Sequence, residues 1–280
     1  MIKNFKSGFK IFLMGGTKDS INIINFLKKE YDFSNLGFDS VFILTTTTTD
    51  YGGKLAKQAG SDEVISKPMK KDEILEILNT YFDGEKFDVF IDATHPFAEN
   101  ATLTAIEVAK IANVKYIRFE RPVFDYSFYE NIYSVDSFKE IGKLITSNFK
   151  CKNILHLAGV NTIKSVLNSK QISKKNFFVR VLPVKSSIEK CNDFGINGEH
   201  IIAMQGIFSK NFNKELMKEF NIQVIITKES GDIGGVPSKI AAAHELGIDI
   251  ILVNRPKIPN LNENTVVNDL NHLEETLSLL

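Results

Sequence analysis

Tryptophan is absent from the 280 residues, and cysteine occurs only twice, at Cys151 and Cys191. Two distant cysteines with no His/Cys cluster around them exclude a disulfide framework and a zinc site, and they fit a reducing cytoplasm. Neither thiol has an activating base nearby in sequence, so thiol nucleophile chemistry is not expected. Net charge is missing too, because 34 basic residues balance 34 acidic ones. That balance argues against a general nucleic-acid or membrane-surface binder. No apolar run approaches the roughly 18–20 residues of a membrane span, and Ile11–Met14 is too short for a signal-peptide core. A soluble globular chain without a resident metal is expected. Arginine is the last scarcity. Only Arg118, Arg121, Arg180 and Arg255 occur among the 34 basic residues. Such few arginines mark places where a planar fork is needed and the point charge of lysine does not serve.

What is present is alternation. Hydrophobic residues make up 43%, and the length suits two domains with ordinary cores. Short apolar runs read as strands at Lys10–Met14, Val41–Thr45, Glu63–Ile65, Asp88–Ile91 and Lys115–Phe119. Helix-period segments at Lys18–Glu30, Gly53–Ala59, Lys71–Phe82 and Phe97–Ala112 lie between them. Residues 125–135 are aromatic and polar and read as a crossing between domains. Alternation then resumes, with strands at Asn153–Leu157, Phe177–Val181, Ile201–Met204, Val224–Thr227 and Ile250–Val253. The helices between them are expected at Ser137–Asn148, Asn161–Asn168, Asn211–Phe220 and Ser238–Leu246, with Ser186 and Glu189 as a capping box for a short one. Leu270–Leu280 closes the chain as a helix. The pattern predicts an α/β fold with parallel sheets covered by helices.

Ligands of such sheets bind beyond the carboxyl ends of the strands, and the unusual polar clusters fall there. Gly15-Gly16-Thr17 opens a helix after the first strand, which suits a phosphate; a tight turn without ligand is the alternative, since the full G-x-G-x-x-G spacing is absent. Threonines 45–49 stand where an acid often holds the ribose of NAD, so NADP is admissible. "DATHPF" (residues 92–97) follows the fourth strand, with Thr94 or His95 as helix cap and Pro96 in the first turn. A second glycine-rich stretch, "TKESGDIGG" (227–235), is a candidate anion cradle with Lys228, Ser230, Gly231 and Gly235, and with Lys239 beyond it; a flexible turn with solvated lysines is the alternative. "QGIFS" carries Gln205 and Ser209, the latter a cap of the next helix. Each arginine also ends a strand. One such arginine would read as an ion pair, but four together point to an anionic ligand. His156 reads as a packed or hydrogen-bonded residue.

In chain order, "GGT", "DATHPFA", "YIRFERP", "VRVLP", "MQGIFS", "TKESG..GG...KI.AA" and "NRP" resemble the precorrin-6A reductase family, including its cobalt-precorrin-6A form. The resemblance spans residues 10–256. It departs at Ile207, where proline is usual, and at Glu229, where aspartate is common. It implies two Rossmann-like domains, 1–130 and 131–280, with an interdomain cleft. It also implies an oxidoreductase of cobalamin synthesis that uses NADPH or NADH on one double bond of a tetrapyrrole. On this reading Gly15, Gly16 and Thr17, with Lys228, Ser230, Gly231 and Gly235, hold the cofactor. Arg118, Arg121 and Arg180, with Gln205, Ser209 and Lys239, take the substrate. Asp92, Thr94 and His95 line the reacting edge, where His95, water or a substrate carboxylate donates the proton. Other corrin-pathway enzymes are candidate partners. The rival readings are a non-catalytic nucleotide-binding module and another NAD(P)-dependent enzyme. A short-chain dehydrogenase would need a Tyr-x-x-x-Lys motif, which does not occur.

Overall fold

In the computed structural model, which describes residues 8–167, 172–231 and 234–280, the chain divides into two compact units. One takes in the chain through Pro122 together with Lys257–Leu280, and the other is Val123–Pro256. The first unit begins with strands β1 (Phe9–Met14), β2 (Val41–Thr47), β3 (Glu63–Ser66), β4 (Val89–Asp92) and β5 (Lys115–Phe119). Helices α1 (Lys18–Lys29), α2 (Asp50–Ala59), α3 (Lys71–Thr80) and α4 (Glu99–Ala112) alternate with them. In the second unit β6 (Ile132–Val135), β7 (Ile154–His156), β8 (Phe177–Val181), β9 (Ile201–Ala203), β10 (Val224–Lys228) and β11 (Asp249–Val253) alternate with helices. These are α5 (Phe138–Asn148), α6 (Val160–Leu167), α7 (Lys185–Asp193), α8 (Lys210–Glu219) and α9 (Val236–Glu245). The chain ends with β12 (Val266–Val267) and α10 (Leu270–Leu277).

The sheets run β12-β5-β4-β1-β2-β3 and β6-β11-β10-β7-β8-β9, and every strand pair in them is parallel. Counted from β1, the first sheet has the doubly wound order 3-2-1-4-5, with β12 in sixth place. Counted from β7, the second has the same order, with β6 in sixth place.

Strand periodicity divides the apolar residues between two helix layers. Ile11 and Leu13 of β1 join Ile23 and Leu27 of α1 and Leu273 and Leu277 of α10. Their alternates Phe12 and Met14 join Ile74 and Leu78 of α3 and Val108 of α4. In the second unit Leu155, Ile225, Ile250 and Leu252 pack under Met217 of α8 and Ile240 of α9. No helix among the described residues is long and apolar enough to cross a membrane.

Several expectations change. The passage into the second unit falls at Pro122–Val123, not at residue 130, and residues 132–135 of the expected crossing form the edge strand β6. Residues 257–280, expected to close the second unit, return to the first. There β12 pairs with β5, and α10 fills the core under β1. Two residues of strand carry no periodicity, which is why β12 escapes a sequence reading. The capping box at Ser186 is not formed, because α7 starts at Lys185 after Val184, whose side chain makes no cap. The helix expected at Asn161–Asn168 is α6, with Asn168 outside the described residues.

Leu273 is fully buried. Leu273→Ala is therefore expected to destabilise the first unit by about 2–4 kcal/mol. Pulse proteolysis in urea reads this, with cleavage moving to lower urea within residues 8–122; an unmoved profile would place α10 outside that core.

Candidate active site

The turn after β1 is the most constrained backbone of the first unit. A Cβ on Gly15 would stand 2.9 Å from Ser20 Oγ and 3.2 Å from Thr45 Cγ2, so no larger residue fits without displacement. Gly16 has φ +95°, in the left-handed region. Thr17 caps α1, accepting from Ser20 N at 3.2 Å, and its hydroxyl donates to Ala93 O at 2.8 Å, which ties this turn to the end of β4. The turn borders a cavity of about 380 Å³ lined by Gly15–Thr17, Thr46–Thr48, Lys67, Thr94 and His95. It sits at the carboxyl ends of β1, β2 and β4, where strand order reverses. The first-turn N–H groups of α1 and its positive end make this a place for an anion.

Asp92, Thr94 and His95 do not act there as one group. Asp92 is fully buried. Its Oδ1 accepts from Thr94 N at 3.0 Å, Thr94 Oγ1 at 2.7 Å and Arg118 Nη1 at 2.9 Å, and its Oδ2 accepts from Tyr116 OH at 3.0 Å. Arg118, 1% exposed, also donates from Nη1 to Thr94 Oγ1 at 3.0 Å and from Nε to Glu120 Oε2 at 3.2 Å. Burial works against the Arg118 charge, and the Asp92 and Glu120 carboxylates more than offset it, so its pKa stands above the ordinary value. Burial, then the Asp92 charge, pushes the Tyr116 hydroxyl well up. Arg118, expected to grip substrate, is thus an internal brace.

The cap expected at Thr94 or His95 is not formed, because α4 begins only at Glu99 behind Ala98. Pro96 instead takes a corner of the turn closed by Ala98 N donating to His95 O at 2.7 Å. His95 is exposed at the cavity rim. Its Nδ1 accepts from Phe97 N at 3.1 Å, which leaves the proton of the neutral ring on Nε2. Arg121 is likewise engaged: Nε and Nη2 bond Asp19 Oδ2 at 2.9 and 2.5 Å, fastening the chain after β5 to the start of α1.

The second unit gathers its own group at the carboxyl ends of β8 and β10. Arg180 of β8 has Nη1 3.1 Å from Asn213 Oδ1, and its guanidinium lies 5.1 Å over the Phe208 ring. Lys239 Nζ, on α9, donates to Gly234 O at 2.8 Å. Burial, with the Arg180 and Lys228 charges, lowers Lys239 to about 7; burial lowers Arg180 to about 10 and Lys228 also downward. Glu229 does not balance this charge. Its Oε1 accepts from Gly231 N at 3.2 Å, and its Oε2 is bound by Arg255 Nε. A Cβ on Gly234 would fall 2.0 Å from Ser230 Oγ, and Gly235, with φ +64°, precedes α9. Asp232 and Ile233 of this loop lie outside the described residues. Gln205 is exposed, and Ser209 caps α8, accepting from Phe212 N at 3.2 Å. His156 is fully buried, with Nε2 2.9 Å from Thr162 Oγ1, and burial lowers its pKa to about 4. The expected cofactor residues therefore divide, Gly15–Thr17 in the first unit and Lys228–Gly235 in the second.

The sequence model of the precorrin-6x reductase CbiJ/CobK family matches residues 10–278. The chain belongs to this family. It is 41% identical over 248 residues to the cobalt-precorrin-6A reductase of Methanocaldococcus jannaschii, covering 89% of this chain and 91% of that one. Over 264 residues it is 38% identical to the cobalt-precorrin-6A reductase of Methanothermobacter thermautotrophicus, covering 94% and 82%. The solved structure of CobK precorrin-6A reductase shares the fold, with a TM-score of 0.70 at 17% identity over 96% of each chain.

Within this family fold, two residues that the sequence reading passed over matter locally. Asn213 holds Arg180, and Tyr116 holds Asp92. Tyr116 follows the strand alternation at one residue's remove from Arg118, whereas nothing in the sequence around Asn213 marks it. Ile207 and Glu229 both touch the second cluster. Ile207 lies against Gly235, where a Cβ would come within 3.2 Å of Ile207 Cγ2, and Glu229 holds Arg255.

Two outcomes follow from this chemistry. Arg118→Ala strands the Asp92 carboxylate in the interior and should cost about 3–5 kcal/mol; urea unfolding measures it, and a loss under ~1 kcal/mol would remove the brace. Lys239 titrates near 7 when folded and near about 10.4 unfolded. Between these values the unfolded chain binds more protons, so this residue makes stability rise with pH. Lys239→Met should therefore stabilise the free protein by about 1–3 kcal/mol at pH 6, with the gain fading toward pH 10. A gain independent of pH would contradict the burial of that charge.

Proposed function

We propose that the protein reduces one double bond of the precorrin-6A or cobalt-precorrin-6A macrocycle with NADPH or NADH, in the cytoplasm, as a step of cobalamin synthesis. The glycine turn at Gly15–Thr17, in a chain of this family, carries the reading. A cradle that a single Cβ on Gly15 would fill, a left-handed Gly16 and a capped helix start fit the phosphates of a dinucleotide. The hydroxyls of Thr46–Thr48 and Lys67, whose Nζ lies 2.5 Å from Glu73 Oε1, border the same cavity and suit the ribose end. A reduced nicotinamide supplies a hydride to one macrocycle carbon, and its neighbour takes a proton. Any cobalt present belongs to the substrate.

The chain's own residues divide the remaining tasks. His95 presents its Nε2 proton at the cavity rim and is the side chain placed to donate it. Asp92 is excluded as that acid, since both its oxygens are taken by Thr94, Arg118 and Tyr116. The substrate is a polycarboxylate, and its acids need cations not already bound to protein carboxylates. Arg118, Arg121 and Arg255 hold Asp92, Asp19 and Glu229. Binding therefore falls to Arg180 and Lys239, and the exposed Gln205 lies on the loop before α8.

Mixing the protein with precorrin-6A or its cobalt form and either nucleotide should oxidise one nucleotide per macrocycle and shift the macrocycle spectrum. Absence of both changes with both nucleotides sinks the assignment. His95→Ala should lower kcat about 100-fold; a rate unchanged across pH would hand protonation to water or to the substrate.

A further inference from the structure

A row of side chains crosses the second sheet on the face covered by α8 and α9. Parallel pairing sets Thr227 beside Leu252 and Arg180 beside Ile202. His156 pairs with Ile226 and with Val179, so Leu157 stands between Thr227 and Arg180. Neighbouring strands are ~4.8 Å apart, which puts Thr227 and Arg180 roughly 10 Å apart along the row. Leu157, Leu252 and Ile202 belong to the core beneath α8 and α9, so Thr227 and Arg180 face the same layer. Lys239 of α9 is buried and lies close enough for the Arg180 charge to lower its proton affinity.

The polar groups of this layer are left incomplete among the described residues. Thr227 Oγ1 is buried without a hydrogen-bond partner. Arg180 is held by an amide, and no carboxylate among the described residues pairs with it. Asn213, 1% exposed, has a fixed orientation, since its Nδ2 donates to Phe208 O at 3.2 Å and Ser209 O at 2.9 Å while Oδ1 accepts from Arg180. An aspartate would neutralise the guanidinium, and it would also turn an acceptor oxygen onto Phe208 O and Ser209 O, where the amide Nδ2 donates. The amide aims the guanidinium and leaves its charge intact. Burial first, and then the charges of Arg180 and Lys228, lower the proton affinity of Lys239. An arrangement of this kind is completed by a ligand that brings the missing negative charge.

We propose that Arg180, Lys239 and Thr227 receive one oxyanion group of the ligand, and that Asn213 is the positioning residue that aims Arg180 without neutralising it. The identity of that group rests on the reductase reading, which makes it a carboxylate of the macrocycle. A phosphate of the nucleotide has the same chemistry.

The decisive variant is Asn213→Asp, which keeps the shape, adds one negative charge beside Arg180 and removes the two Nδ2 donors, so its fold is first checked by thermal melting. Steady-state kinetics should show KM for the macrocycle raised about 10- to 100-fold, with KM for the nucleotide and kcat within about twofold. Asn213→Ser, which keeps a neutral acceptor, should recover most of the loss. A rise in nucleotide KM alone would also uphold the receptor and assign it to phosphate. Both KM values unchanged in a folded Asn213→Asp protein would overturn the proposal. If the parent reduces no macrocycle, the site is still tested by thermal shift with citrate and pyrophosphate. Stabilisation of the parent that is lost in Asn213→Asp upholds the receptor, and equal shifts in both proteins reject it.

Discussion

A carboxylate removed from water needs its lone pairs answered, and the end of β4 is built around one that is. Asp92 receives two donors from Thr94, one from Arg118 and one from Tyr116, so the turn after β4 and two positions of β5 converge on it. The pair registers allow this, because Asp92 stands beside Arg118 in the sheet and beside Met14 on its other side. Once Thr94 is fixed by Asp92 and Arg118, the turn through Pro96 has little freedom. His95 is then delivered to the rim of the cavity whose floor is the glycine turn. The hydroxyl of Thr17 closes the loop by bonding Ala93. Much of the first unit's carboxyl edge is thus set by one buried ion pair and its hydrogen bonds, and a lone charge there would be too costly to keep.

The distribution of arginine follows the same electrostatics. Three of the four arginines hold carboxylates of the chain and act as fasteners: Arg118 across β4 and β5, Arg121 onto α1, Arg255 onto Glu229. The fourth, Arg180, meets an amide and an aromatic face instead. Partner chemistry, more than position at a strand end, separates a structural arginine from one kept for a ligand. Lys239 belongs with Arg180 by the same test, since its Nζ bonds a carbonyl and its neighbours are cations.

Both sheets place their first strand at the point where strand order reverses, and each takes its sixth strand from beyond its own run of alternation. The strand after β5 joins the second sheet, and the strand after β11 joins the first. Residues far apart in sequence therefore share one core. Val267, Leu273 and Leu277 complete the layer begun by Ile11 and Leu13.

Sequence alone determined the alternation of strands and helices, the parallel sheets, and the gathering of polar motifs after strands. Periodicity and turn chemistry are local properties, so they can be read without the fold. The glycine turn was legible for the same reason, because Gly15 and Gly16 answer to backbone geometry within a few residues. Tertiary structure alone decided which polar groups meet. Asp92 and Arg118 became a brace through strand register, Asn213 became the partner of Arg180 through the packing of α8 on β8, and the last residues returned to the first sheet. Spacing along the chain carries no information on contacts made across 24 residues between Thr94 and Arg118 or 33 between Arg180 and Asn213. Burial, which turns a charge into either a fastener or a receptor, exists only once the layers have closed.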